Sequence, residues 1–113
     1  MNDLPEGEKF EMVTTLPGLI LGPNINKCNF TSGDFLKGIM VSDPDYEQLL
    51  KWHFPFVDVR DVALSHLNAV LIPEAAGKRF MLVADTCHWW REVGAWLDEV
   101  YGEKGMKKYK VST

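Results

Sequence analysis

The side chains in this sequence that could do chemistry are few and scattered. Asp58, Arg60 and Asp61 bring two carboxylates and a guanidinium within one helical turn, a set that could orient or polarise a ligand. The same three residues open an apolar helical run, where a carboxylate cap and an ion pair holding the helix start take precedence over catalysis. Cys87 and His88 are neighbours, but no third or fourth donor follows at metal-ligand spacing. The other cysteine, Cys28, lies far away and outside any Cys-x-x-Cys pattern, so neither a disulfide framework nor a zinc site is indicated. His66 falls on an otherwise apolar helical face, the setting of a hydrogen-bonded structural histidine rather than a ligand. No Ser/His/Asp or Cys/His constellation emerges from these positions.

Turn signals cut the chain into the elements that must position these groups. Phe10 to Leu21 is β-branched and apolar and is bounded by Gly and Pro, which predicts a buried strand of a parallel sheet. Pro17 cannot donate to a ladder, so the strand proper ends there. Thr31 or Ser32 can cap a short helix through Phe35, Leu36, Ile39 and Met40. Val41 to Pro55 has no single period and reads as a loop with a helical turn. Phe56 and Val57 form a short strand, and Asp58 caps a helix from Val59 to about Leu71 whose apolar face is Val62, Ala63, His66, Leu67 and Val70. Pro73 stops that helix, and Ala76-Gly77 makes the turn into a strand from Arg79 to Ala84. Asp85 or Thr86 caps the last helix, with Trp89, Val93, Trp96, Leu97 and Val100 inward and Trp90 at the edge, until Gly102 ends it. Strands alternating with helices indicate α/β construction. No Gly-rich strand-to-helix turn is present to cradle the phosphates of a dinucleotide.

A length of 113 residues allows one modest unit, or part of a larger one. The net charge of -4 disfavours a grip on nucleic acid or on an anionic membrane. The late lysines Lys104, Lys107, Lys108 and Lys110 read as the solvated end of a helix, where cations offset the dipole. The start of the chain is acidic and polar, unlike a signal peptide, and no run approaches the ~20 apolar residues of a membrane span. A reducing, cytoplasmic setting fits best.

Four stretches carry a resemblance: TLPGLILGP at Thr15 to Pro23, FVDVRDVALSHLNAV at Phe56 to Val70, GKRFMLVAD at Gly77 to Asp85, and WWREVGAWL at Trp89 to Leu97. Together they resemble the C-terminal part of extended short-chain dehydrogenase/reductases, in the dihydroflavonol reductase, cinnamoyl-CoA reductase and methylglyoxal reductase group of the NAD-dependent epimerase/dehydratase superfamily. Val41 to Pro55 departs most from that pattern. The resemblance implies the C-terminal portion of a Rossmann-like NAD(P)-binding fold with its small substrate-binding lobe. Residues 1–23 would supply a late strand of the cofactor sheet, residues 24–76 the substrate-side lobe with its lid loop and helix, and residues 77–113 the last strand and helix.

It also implies site residues. Pro17 corresponds to a proline lying against the nicotinamide end of NADP(H), with Gly18, Leu19 and Ile20 as the adjacent wall. Ser32 stands at the spacing of a hydroxyl near the cofactor phosphates, and the aromatics and Leu49 of the lid segment would line an apolar pocket. The family's Tyr-x-x-x-Lys pair is absent: Tyr46 is followed by Leu50 at the fourth position, Tyr101 by Gly105 and Tyr109 by Thr113. A tyrosine hydroxyl, with a pKa near ~10, needs a nearby cation to act as an acid at neutral pH. The expectation is therefore the substrate-side part of an NADP(H)-dependent reductase of a small aldehyde, ketone or acyl thioester, inactive by itself, with Met1 an internal methionine or the start of a short form or incomplete gene model. A second reading is a non-enzymatic interaction module that self-associates, or joins full-length relatives, through an exposed sheet edge.

Overall fold

Pro17 stops the first strand as its missing N–H requires, but the chain continues extended and changes sheets one residue later. The structure, a computed structural model, describes residues 4–26 and 28–105, without the side chains of Tyr46, Gln48 and Leu49. In chain order it comprises β1 (Thr14–Pro17), β2 (Leu19–Leu21), α1 (Thr31–Val41), a 3-10 segment (Pro44–Lys51), β3 (His53–Asp58), α2 (Val59–Leu71), β4 (Arg79–Leu82), β5 (Cys87–Trp89) and α3 (Trp90–Tyr101). β1 pairs in parallel with β4, Thr14 opposite Arg79 and Pro17 opposite Leu82. β2 pairs in parallel with β3, Leu19 opposite Phe56 and Leu21 opposite Asp58. β5 runs antiparallel along the other side of β3. The chain is thus α/β, with parallel ladders and one antiparallel edge, as part of a Rossmann-like fold would have.

The packed core lies on the β2–β3–β5 side. Trp90 and Ile39 are completely buried, with Leu50 and Val93, and Leu19, Phe35, Leu36, Phe54, Phe56 and Leu97 close round them. The Trp90 indole meets Phe35, Phe54 and Phe56 edge-on, at centroid separations of 6.3, 6.3 and 5.2 Å. Such contacts add about 0.5–1.5 kcal/mol per pair beyond area burial.

This arrangement keeps Val93 and Leu97 on the inner face of the last helix, as expected, and corrects the rest of that face. The segment before it forms β5 instead of a cap, Trp89 lies on that strand, and α3 begins at Trp90. Its start is held by Glu92, whose Oε2 accepts from the Trp89 backbone N–H at 2.9 Å. With Trp90 as the first helical residue, the inward positions are Trp90, Val93 and Leu97. Trp96 is left 49% exposed and Val100 60%. α3 does end before Gly102, passing through a 3-10 turn to Gly105, where φ is 96°. Lys104 lies over the Tyr101 ring at 5.4 Å, while Lys107, Lys108 and Lys110 lie outside the described residues.

Other expectations are met or corrected locally. α1 forms where expected, but its N-cap is Phe30 without a side-chain bond. Its C-terminus closes through Ser42 in the left-handed region (φ 52°), with Ser42 N–H to Ile39 O at 3.2 Å and Asp43 N–H to Gly38 O at 2.9 Å. The segment read as a loop contains the 3-10 turn and the first residues of β3, so β3 is longer than the expected Phe56–Val57 pair. Gly77 makes the turn before β4 with φ 73°, a conformation that suits glycine.

β1 is not buried on both faces. It has β4 as its one neighbour among the described residues, Leu16 and Pro17 are exposed, and Phe10 and Met12 precede the strand in solvent. The chain exposes 8810 Å², about 2,500 Å² more than a compact monomer of its mass presents. Exposed apolar side chains lie on both sides, Phe80 and Met81 on β4 and Trp52 and Trp96 near the Trp90 cluster, but among the described residues only that cluster contains a buried aromatic ring. Truncating the buried indole should therefore dominate the stability of the molecule. Trp90→Ala is expected to cost about 3–5 kcal/mol and Trp96→Ala less than about 1 kcal/mol in urea unfolding followed by circular dichroism; equal losses would contradict the assignment of α3's inner face.

Candidate functional site

Pro17, Gly18, Leu19 and Ile20 run along the seam between the two sheets. The Gly18 N–H donates to Leu82 O of β4 at 3.0 Å, while the tail of β4 crosses over so that the Ala84 N–H donates to Phe56 O of β3 at 2.7 Å. Gly18 is required here for space. A Cβ at this position would lie 2.3 Å from Pro55 O, 3.0 Å from Pro55 C and 3.2 Å from Val83 Cγ1. Backbone carbonyls cannot swing aside as a flexible side chain could, so any larger residue would push β2 from β3.

The residues singled out in the sequence do meet at this seam. Pro17 is exposed at the end of β1, and Gly18 and Ile20 are half-buried. Leu19 is also half-buried, but it packs on the Trp90 core. Ser32 in the first turn of α1 donates its hydroxyl to Ile20 O at 2.6 Å. That bond replaces the helix cap expected of Ser32: its proton ties α1 to β2, and the hydroxyl oxygen retains acceptor capacity. Open cavities flank the seam. One of about 270 Å³ is bordered by Leu21, Gly22, Phe56, Val57, Asp58 and Ala84. Another, of about 290 Å³, lies beside Asp58, Asp61, Ser65, Val83 and Ala84. Both are at or below the lower end of the usual size of small-molecule pockets, about 300–1,000 Å³.

Asp58 and Arg60 behave as the capping reading requires. Asp58 Oδ1 accepts from the Arg60 N–H at 2.8 Å and from Arg60 Nε at 2.8 Å, and its Oδ2 accepts from Nη2 at 2.6 Å. The Arg60 side chain, then its backbone N–H, holds the Asp58 carboxyl down at about 2. His66 is a structural histidine. Val62 O can only accept, so Nδ1 donates to it at 2.8 Å, leaving Nε2 facing Thr15 Oγ1 at 3.0 Å. The bond to Thr15 fastens α2 to β1 and corrects the helix's expected apolar face. Val59, Val62, Ser65 and Ala69 turn inward, while Leu67 and Val70, expected inside, are exposed.

Among the described residues no group of three or more His, Cys, Asp and Glu could hold a metal ion. His88 instead has Nε2 at 3.0 Å from Thr86 Oγ1 and Nδ1 at 3.5 Å from Glu92 Oε2. Cys28 and Cys87 are free thiols. Among the described residues no helix is long and apolar enough to cross a membrane. The seam residues that sequence reasoning missed are Pro55, Val83 and Ala84. Each lies on a segment that is distant in sequence, and only strand pairing brings them to Gly18.

No family model matches the chain. It is 36% identical over 89 residues to a ketoreductase, azaE, of Aspergillus niger, a match covering 74% of this chain and 25% of that protein. A Saccharomyces cerevisiae protein described as a putative uncharacterized oxidoreductase is 33% identical over 84 residues, covering 66% of this chain and 23% of its own. A second yeast protein of the same description is 33% identical over 81 residues, with 68% and 23% covered. The chain therefore spans about a quarter of the length of these curated relatives. Over the matched region it is similar to oxidoreductases.

The site analysis sets the acid limb of the stability profile. The Asp58 carboxyl is depressed in the folded state, so its contribution is fully present above the unfolded value near 3.8 and is lost as pH falls through about 2. Asp58→Asn removes that dependence. Thermal melts between about pH 5 and pH 2 should show a shallower loss for the variant than for the parent chain; parallel profiles would show that Asp58 does not carry it.

Proposed function

We propose that this chain is the substrate-side part of an NADP(H)-dependent reductase of small carbonyl compounds, belonging to the dihydroflavonol reductase, cinnamoyl-CoA reductase and methylglyoxal reductase group. The observation that carries the reading is the seam: Pro17 to Ile20 form one backbone wall, pinned between β4 and β3, with the Ser32 hydroxyl bonded to its far end. The similarity to a ketoreductase and to oxidoreductases supports it.

In this reading the nicotinamide supplies hydride to the carbonyl carbon when bound. The chain's own part is to offer a rigid apolar surface at Pro17 and Gly18, which Ser32 fastens to α1 by giving its proton to the Ile20 carbonyl, so that this proton is not offered to a phosphate oxygen. Rigidity matters because a wall displaced by 1 Å loses the near-attack geometry that positioning provides. The proton must come from elsewhere, since no tyrosine of the sequence has a lysine one helical turn on. The chain alone is accordingly non-catalytic, and its setting is the cytoplasm.

A second reading, an interaction module that joins full-length relatives along β1, is favoured by that strand's having one neighbour among the described residues and by the large exposed surface. One experiment separates the two. NADPH titrated into isotope-labelled chain is expected to shift the backbone amides of Gly18 to Ile20 and Ser32, while NADPH oxidation with a panel of aldehydes and ketones stays at the blank rate. Shifts absent from those amides would sink the cofactor-wall reading in favour of the module, and turnover would sink the non-catalytic part.

A further inference from the structure

Between α2 and the β1–β4 ladder the chain leaves a cavity of about 350 Å³, and none of Pro17, Gly18, Leu19 and Ile20 borders it. The space exists because the α2 positions turned inward there, Ser65 and Ala69, carry short side chains. Its apolar lining comes from Ala69, Ile72 and Ala75 on one side and from Phe80 and Leu82 on the other, two residues apart and so on one face of β4. Cavities of about 300–1,000 Å³ with apolar walls and a few polar groups are the usual form of a small-molecule site. Ser65, Asn68, Glu74 and Lys78 supply the polar groups here, and among the described residues no other group engages their side chains. Glu74 and Lys78 stand on either side of the Gly77 turn, which is braced by the Lys78 N–H to Ala75 O at 3.0 Å and the Gly77 N–H to Met12 O at 2.9 Å. Both residues are exposed, and neither forms an ion pair with a described residue, including with each other. The rim therefore presents one negative and one positive charge on a fixed turn, beside an apolar interior.

We propose that this cavity binds a free α-amino acid with an apolar side chain. The ligand's ammonium meets Glu74, its carboxylate meets Lys78 with the Asn68 amide as a second donor, and its side chain enters among Ile72, Phe80 and Leu82. A ligand carrying only a carboxylate would face Glu74 as a like charge, and one carrying only an ammonium would face Lys78. A zwitterion with both charges on one carbon answers both. A peptide carries its terminal charges at opposite ends, so the pair of charges at one rim selects the single residue. The braced turn holds the two charged positions before the ligand arrives, which lowers the ordering cost of binding. Because no residue of the Pro17–Ile20 wall takes part, the site stands whether or not the reductase reading does.

The test uses the whole isotope-labelled chain, with L-leucine as the probe and two blocked forms for comparison: N-acetyl-L-leucine, which lacks the ammonium, and L-leucinamide, which lacks the carboxylate. Leucine is expected to shift the backbone amides of Ala69, Ala75 and Phe80, and to bind about three- to tenfold more tightly than either blocked form. Glu74→Gln is expected to remove its advantage over N-acetyl-leucine, and Lys78→Met its advantage over leucinamide, with unchanged far-ultraviolet circular dichroism in both variants. Ala69→Leu, which fills the cavity, is expected to abolish binding. No shift at those amides at tens of millimolar leucine would overturn the proposal. Blocked forms that bind as tightly as leucine would overturn it too, as would charge variants that leave the order of affinities as it was, or a folded Ala69→Leu chain that still binds.

Discussion

At Gly18 the backbone passes so close to the Pro55 carbonyl that no Cβ fits, and much of the molecule follows from that approach. Because the strand can cross there without a side chain, β1 can pair with β4 and β2 with β3 within one continuous extended run. The tail of β4 then follows it across, and the Ala84 N–H finds Phe56 O. Ser32 reaches the Ile20 carbonyl because β2 has been brought to α1 by the same path. Without the crossing, the residues read as a cofactor wall would belong to two unconnected pieces.

The two sides of the seam differ in how they are held. On the β2–β3–β5 side, the Trp90 indole is wrapped by aromatic edges and by Ile39, Leu50 and Val93, so hydrophobic burial supplies the stability. On the β1–β4 side, α2 has no buried residue. What holds it is a set of polar ties: the Asp58 cap and Arg60 ion pair at its start, and the His66 bridge to Thr15. Exposed ties of this kind contribute modestly, and they leave Leu64, Leu67 and Leu71 of α2 uncovered.

What could be read in the sequence were the features decided by local stereochemistry. Pro17 ends β1 for want of an N–H, Asp58 caps α2, Pro73 stops it, and Gly77 takes a left-handed turn. The alternation of strands and helices gave the α/β class. Features decided by packing were not legible. Three residues, Cys87 to Trp89, are too few to show a period, so β5 was missed and the tryptophan faces came out wrong. α2 is apolar enough all round that periodicity could not say which side the sheets would take. At the site, only the family resemblance singles out Pro17–Ile20 and Ser32, and nothing in the sequence signals the bond from Ser32 to the Ile20 carbonyl. The reason Gly18 must be glycine lies in Pro55, thirty-seven residues away in the chain.

If the seam binds the two sheets into one cooperative body, its two bridging amides must open only when the whole structure does. Native-state hydrogen exchange on the labelled chain measures this directly. The Gly18 and Ala84 amides should exchange with the same opening free energy as the amides of β3 around Val57, and should respond identically to added urea. Exchange at Gly18 and Ala84 through a smaller, urea-insensitive opening, while β3 stays protected, would mean that the sheets move independently and that no rigid wall exists along Pro17 to Ile20.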